Sequence, residues 1–205
     1  MPQIEMLHVT KFFTNEQRLF AAINDVSLSI ERGEFVFLIG SSGAGKTTLL
    51  RLLANQIVAD EGKIWLDDVE LTRMRGWRRP AYRRNIGQVW QDASLIRKKT
   101  VRQNLELVQR ALGVKSKVIP ENTRKALSIV GMRAMEDRYP FELSGGQVKM
   151  VELARAIICN PPILIVDEIT ANLDYDTGWD IMNILNEINR CGTTVLMATH
   201  AKDFV

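Results

Sequence analysis

The 205 residues carry 46% hydrophobic side chains, 25% charged ones and a formal net charge of +3, enough apolar material for one sizeable core and too little chain for two comfortable domains. So small a charge excess nominates no partner by itself, and the longest apolar stretches, such as Phe35 to Ile39 and Ile163 to Val166, fall far short of the roughly 20 residues of a membrane-spanning helix. The opening Met-Pro-Gln-Ile-Glu-Met lacks the basic region and apolar run of a secretory signal, and Cys159 and Cys191 are too far apart for a CxxC pair and read as small core or near-core residues, all of which predicts a reducing cytosol.

In chain order, the apolar run Phe35 to Ile39 predicts a strand, and Gly40-Ser41-Ser42-Gly43-Ala44-Gly45-Lys46-Thr47 follows it directly. These residues match G-x-x-x-x-G-K-[ST], and Thr48 with the helix-like stretch Leu49 to Gln56 completes the strand–loop–helix context that such a loop requires. Glycines let the backbone curl so that successive N–H groups and the helix N-terminus converge on one anion. Lys46 adds a positive charge and Thr47 offers a hydroxyl to Mg²⁺. The segment therefore predicts a cradle for a nucleoside triphosphate.

A second strand is expected over Ile86 to Trp90. From Thr100 to Tyr139 the pattern turns helical, with Val101, Leu105, Val108 and Leu112 at spacings of three and four, then a second helix from near Pro120. Another helix is expected over Lys149 to Ile157, a strand over Ile163 to Val166, a helix over Trp179 to Arg190 and a strand over Thr194 to Ala198. This is α/β order, and two continuously apolar strands suit a sheet covered on both faces. The expectation is one domain over residues 1–205, with a helical subdomain over about 92–160. No internal repeat or low-complexity linker marks a second domain.

The strand over Ile163 to Val166 ends in Asp167-Glu168. Strand alternation sends neighbouring side chains apart, so the two carboxylates are expected to serve different ends: Asp167 holding Mg²⁺ through its water shell, and Glu168 orienting or deprotonating the water that attacks the γ-phosphate. Alone, such a pair more often marks a strand entering solvent; beside the glycine loop it predicts a P-loop nucleotidase, a class that covers kinases, GTPases, helicases and transport motors.

Leu143-Ser144-Gly145-Gly146-Gln147, directly before a helix and ahead of the Asp-Glu strand, resembles the signature motif of ABC ATPases. Read on its residues alone, Ser-Gly-Gly before a helix is a cap and turn. The resemblance implies that Ser144, Gly145, Gly146 and Gln147 close over ATP held by a second copy, giving a head-to-tail homodimer. It further implies that Gln91 is the Q-loop glutamine at the Mg²⁺ and water site, that Asp174 in Ala171-Asn172-Leu173-Asp174 crosses the dimer interface, and that His200 is the switch histidine bridging the γ-phosphate to Glu168. Asp174 also reads as a plain helix cap. An aromatic, Phe13 or its neighbour Phe12, is implied to stack on adenine. The resemblance covers nearly the whole chain, so the expected site comprises Lys46, Glu168 and His200 for catalysis, Thr47, Gln91 and Asp167 for Mg²⁺, and residues 40–48 for ATP phosphates.

The chain departs from the family pattern where Ile169 stands in place of a usual Pro and where Val148-Lys149-Met150 replaces a Gln-Gln-Arg-like run; it also ends five residues past His200, where the family generally continues, which suggests a shortened form. Within the family, Gly43-Ala44-Gly45-Lys46, Gly62-Lys63-Ile64-Trp65, Arg83-Arg84-Asn85-Ile86-Gly87 and Val195 to His200 are most similar to the FtsE cell-division ATPases. That similarity implies the integral membrane protein FtsX as partner, a place on the cytoplasmic face of the membrane, and no nucleic acid. Lipoprotein-export and macrolide-export ATPases are the alternative, followed by a soluble ABC ATPase acting on nucleic acid or ribosomes. Arg73, Arg75, Arg78, Arg79, Arg83, Arg84, Arg97, Lys98, Lys99 and Arg102 flank Gln91 and read either as a solvated face or as a surface toward the membrane subunit and its anionic leaflet.

Overall fold

A computed structural model describes residues 2–15, 18–92 and 94–200, with the backbone alone at residue 15. Strands β1 (Ile4–Asn15) and β2 (Arg18–Ile30) form a long antiparallel hairpin, and β3 (Phe35–Ile39) leads through the glycine loop into α1 (Lys46–Leu53). A second hairpin, β4 (Glu61–Leu66) with β5 (Val69–Glu70), is followed by the short α2 (Arg79–Arg83) and β6 (Ile86–Val89). Three helices come next: α3 (Val101–Ala111), α4 (Ile119–Ile129) and α5 (Gly145–Ile157). Then β7 (Ile163–Asp167), α6 (Tyr175–Arg190) and β8 (Thr194–Thr199) complete the described chain. Among the described residues no helix is long and apolar enough to cross a membrane.

The strands divide into two sheets, antiparallel in the order β2-β1-β4-β5 and parallel in the order β3-β8-β7-β6. The resemblance to ABC ATPases implies a P-loop α/β domain with an antiparallel β edge, and that antiparallel portion is a four-stranded sheet of its own. The period-two geometry of β7 explains why its sequence is continuously apolar: Ile163 and Ile165 enter one core with Leu50, Leu53, Ile4 and Met6, whereas Leu164 and Val166 enter a second with Val151, Leu153, Ile181 and Leu185. The parallel sheet is therefore covered on one face by α1 and the antiparallel sheet, and on the other by α5, α6 and the α3–α4 pair. Each fully buried Leu or Ile contributes about 1.5–3 kcal/mol relative to exposure, so both faces hold β7 in place.

Local signals set the helix ends. The Thr100 hydroxyl accepts from the Gln103 N–H at the start of α3, and the Gln103 side chain accepts from the Thr100 N–H, a reciprocal capping box. Ser144 and Gln147 repeat the arrangement at α5, and Asp174 caps α6. Buried Gln109 on α3 donates to the Thr123 hydroxyl on α4 at 2.9 Å, which ties the two helices together.

Candidate nucleotide site

The glycine loop lies between β3 and α1, at the carboxyl end of the parallel sheet, where α/β folds place their ligands. Gly45 caps α1 at φ 87°, and a Cβ there would stand 2.4 Å from the Ala22 carbonyl oxygen of β2. Only glycine permits both the left-handed backbone and that approach. Lys46 follows, its ammonium donating to the carbonyls of Gly40 at 2.8 Å and Ser41 at 3.1 Å. Its Nζ also stands 3.5 Å from a carboxylate oxygen of Glu168.

β7 ends at Asp167, and Glu168 lies one residue beyond it at φ 50°. Glu168 thus lies outside the strand alternation that the sequence reading assumed, on a backbone in the left-handed region. A non-glycine residue held there stores strain, a recurrent feature of functional sites. Glu168 meets His200 Nδ1 at 2.7 Å through its second oxygen, so the carboxylate sits between Lys46 and His200. Asp167 is buried, and that burial raises its pKa; a hydrogen bond from Thr47 opposes the shift, and neighbouring Glu168 adds to it. One Asp167 oxygen, Oδ1, is buried with no hydrogen-bond partner. A buried acceptor left in this way, with a threonine hydroxyl beside it, is a hard oxygen donor set that suits Mg²⁺, whose shell is ordinarily completed by phosphate oxygens and water. Among the described residues no group of three or more His, Cys, Asp or Glu gathers around a single point.

A cavity of about 690 Å³, within the usual size range of a ligand site, is lined by residues 42–48, Gln91, Glu168, His200, Phe13 and Phe20; buried Asp167 is not among its lining residues and reaches it through Thr47. Lys46, Thr47, Glu168, His200 and Gln91 come together there as expected, with Thr48 on the floor and Gly40 and Ser41 engaged by Lys46. Phe13, not Phe12, faces the cavity. It lies within β1, and its ring is 6.3 Å from that of Phe20 across the hairpin. Sequence reasoning missed Phe20 and the neighbouring Ala21 and Ala22, since only the β1–β2 register Phe13↔Phe20 reveals them. Asp60 steadies this strand tip: its carboxylate accepts from the Phe12 N–H at 2.7 Å and from Lys11 at 3.1 Å, which holds its pKa below the ordinary value.

Ser144, Gly145, Gly146, Gln147 and Asp174 lie apart from that cavity and form a second place of their own. The Ser144 hydroxyl accepts from the Gln147 N–H at 3.3 Å. A Cβ on Gly146 would stand 2.8 Å from the Thr177 methyl, and Thr177 in turn donates its N–H and hydroxyl to Asp174 at 2.9 and 2.8 Å. The N-termini of α5 and α6 thus sit side by side. These contacts hold the Asp174 carboxyl below its usual pKa, the Thr177 N–H being the largest cause. Both readings of Ser144 and Asp174 remain compatible with the geometry, because each caps a helix while standing exposed. No described residue of this pair of caps lines the phosphate cavity.

Of the basic segment, Arg73 pairs with Glu70 at 3.4 Å and Arg102 with Glu136 and Asp137 at 3.0 and 2.8 Å. Arg78 stacks over exposed Trp77 at 4.9 Å, and a cavity of about 310 Å³ separates α2 from α3, lined in part by Arg83, Arg84, Val108 and Leu112.

Residues 23–171 match a family profile described as ABC transporter. The chain is 40% identical over 205 residues to the cell division ATP-binding protein FtsE of Streptococcus pneumoniae (strain R6), covering 100% of this chain and 88% of the relative. It is 39% identical over 202 residues to FtsE of Bacillus subtilis, covering 98% and 87%. The methionine import ATP-binding protein MetN 4 of Oceanobacillus iheyensis is 38% identical over 203 residues, 98% of this chain but 59% of that longer protein. Among solved structures, a dimeric ATP-binding cassette in a post-hydrolysis state bound to ADP and Pi superposes with a TM-score of 0.91 at 30% identity, covering 98% of this chain and 89% of that one.

Proposed function

The chain belongs to the ABC transporter family, whose ATP-binding cassettes are ATPases, and on that premise we propose that two copies close around ATP and so drive an integral membrane partner from the cytoplasmic face. One observation carries this reading: the chain holds one cavity for phosphates and, apart from it, an exposed pair of helix N-termini at Ser144 and Asp174. Helix N-termini favour anions. Two copies placed head to tail would set the caps of one against the cavity of the other and complete two sites at once.

In the proposed division of labour, the loop amides of residues 41–48, with Lys46, bind the phosphates, and Phe13 with Phe20 supports the base. Thr47, Asp167 and Gln91 would hold Mg²⁺, which when bound neutralises charge developing on the phosphate oxygens. Glu168 accepts a proton from the attacking water, and His200, bonded to its second oxygen, holds that carboxylate in place. Removing the γ-phosphate removes the group shared by the two copies, and the dimer opens.

The similarity over nearly the full length to FtsE proteins supports a partner of the FtsX type, with the α2–α3 cavity and Arg83 and Arg84 as the face presented to it. The comparable identity to a MetN protein favours, as a second reading, service to an importer. Capture of detergent-solubilised FtsX, and not of a methionine-importer membrane subunit, separates the two. The deciding test of the composite site is light scattering of Glu168→Gln protein with and without MgATP. A nucleotide-dependent dimer is expected; a persistent monomer that binds ATP would remove the roles given to Ser144 and Asp174.

A further inference from the structure

α5 carries Ser144 and Gly145 at its start, and one and two turns on it buries two opposite charges, Lys149 and Glu152. Neither points into the apolar core as a packing residue would need to. The Lys149 ammonium has three N–H groups and uses all three: it donates to the Trp90 carbonyl at 2.9 Å, the Gln91 carbonyl at 2.6 Å and Glu152 Oε2 at 3.1 Å. Glu152 uses its other oxygen to accept from both the N–H and the hydroxyl of Ser94. Arg155, a further turn along, donates to the Ser94 carbonyl at 2.8 Å and to its hydroxyl. One face of α5 therefore grips the backbone of the segment that follows β6, at residues 90, 91 and 94.

Burying an ion pair is costly, and apolar residues of similar volume often serve stability as well or better. What the pair adds here is position, since its bonds are to main-chain groups and fix where that main chain lies. Gln91 is the residue so held: its carbonyl is bound to α5 while the residue lines the phosphate cavity. We infer that Lys149 and Glu152 are positioning residues which tie the main chain at Gln91 to the helix bearing Ser144, so that a shift of that helix during turnover is carried to Gln91 at the edge of the phosphate cavity. This rests on the reading of Gln91 as part of the nucleotide site. The departure from the family pattern at Val148-Lys149-Met150 is then a chain-specific link and not a loss.

The test compares Lys149→Met, Lys149→Arg, Ser94→Ala and Gln91→Ala in the full chain, reading MgATP turnover, equilibrium binding of a fluorescent ATP analogue and thermal midpoint. Ser94 is exposed and outside the core, so its alanine variant folds even if Lys149→Met does not. The expected result is a fall in kcat of about tenfold for Lys149→Met and about threefold for Ser94→Ala, with the nucleotide Kd changed by less than about twofold and Lys149→Arg restoring most of the rate. Wild-type kcat in Lys149→Met and Ser94→Ala overturns the proposal, as does a fall in kcat matched by an equal loss of nucleotide affinity. If Lys149→Met does not fold, Ser94→Ala decides alone on the same two criteria. Gln91→Ala separates the levels: undiminished turnover there sinks the reading of Gln91 itself, whereas a slow Gln91→Ala beside a normal Lys149→Met and Ser94→Ala sinks only the link.

Discussion

The two anion-facing places of this chain are built in opposite ways. Around the glycine loop nearly every charged group already has a partner: Lys46 is bonded to two carbonyls and faces Glu168, and Glu168 is bonded to His200. At the starts of α5 and α6, Ser144 and Asp174 bond, among the described residues, to their own helices and stand exposed. The first is a set of side chains bonded to one another within one chain; the second leaves its two caps turned to solvent. Under the proposed function, that difference separates the side chains that hold the nucleotide from the caps that a second copy would bring to it.

The largest effect that would sharpen this contrast is expected from Glu168→Gln. Replacing a proposed general base lowers kcat by about 10²–10⁴-fold while leaving nucleotide binding and the fold in place, as single-turnover rates and equilibrium binding would reveal; normal hydrolysis would take Glu168 out of its role. Next, Lys46→Ala removes a hydrogen bond to a charged group, about 1.5–3 kcal/mol, and nucleotide affinity measured by titration should fall by about 10–150-fold. A matched pair of glycine changes then divides the two places. Gly45→Ala, at φ 87° and against the Ala22 carbonyl, should cost about 1–3 kcal/mol in stability as well as nucleotide binding. Gly145→Ala meets nothing within 4 Å, so the isolated chain should melt within about 0.5 kcal/mol of the parent and yet lose its ATP-dependent dimer. A Gly145→Ala protein that dimerised normally would break the comparison.

The smallest expected effect concerns pH and the strand tip beside Phe13. Because the Phe12 N–H first and Lys11 after it hold the Asp60 carboxyl below its ordinary value, the folded state favours the ionised form. Its contribution is complete above the ordinary carboxylate pKa of about 3.9 and is lost as pH falls through the depressed folded value. The melting difference between the parent and Asp60→Ala should stay constant from pH 7 to pH 5 and shrink below the ordinary carboxylate range.

Much of the phosphate cavity was legible because its residues are contiguous or lie at strand ends: residues 40–48 announce their own loop, and the apolar run before Asp167 announces a strand buried on two faces. The helix over residues 101–111 was equally plain from the spacing of Val101, Leu105 and Val108, and Pro120 marked the start of the next. What stayed hidden depends on pairing between distant segments. Phe20 joins Phe13 only through the β1–β2 register. Lys149 reads as an exposed helical charge until the carbonyls of residues 90 and 91 are brought to it. The left-handed backbone of Glu168 had no sequence signal either, since glutamate gives no local reason to adopt φ 50°.

Lys46 gives the glycine loop a further property. Its ammonium is already largely out of water and already bonded, so a phosphate bound as proposed would not capture a loose cation; it would trade places with two peptide oxygens. Less side-chain freedom is lost on arrival, and on departure the lysine returns to a bonded state and not to solvent. The attraction that would count is the difference between two partners, which under the proposed role would keep the loop hospitable to a strongly charged ligand without making it a trap for the spent one.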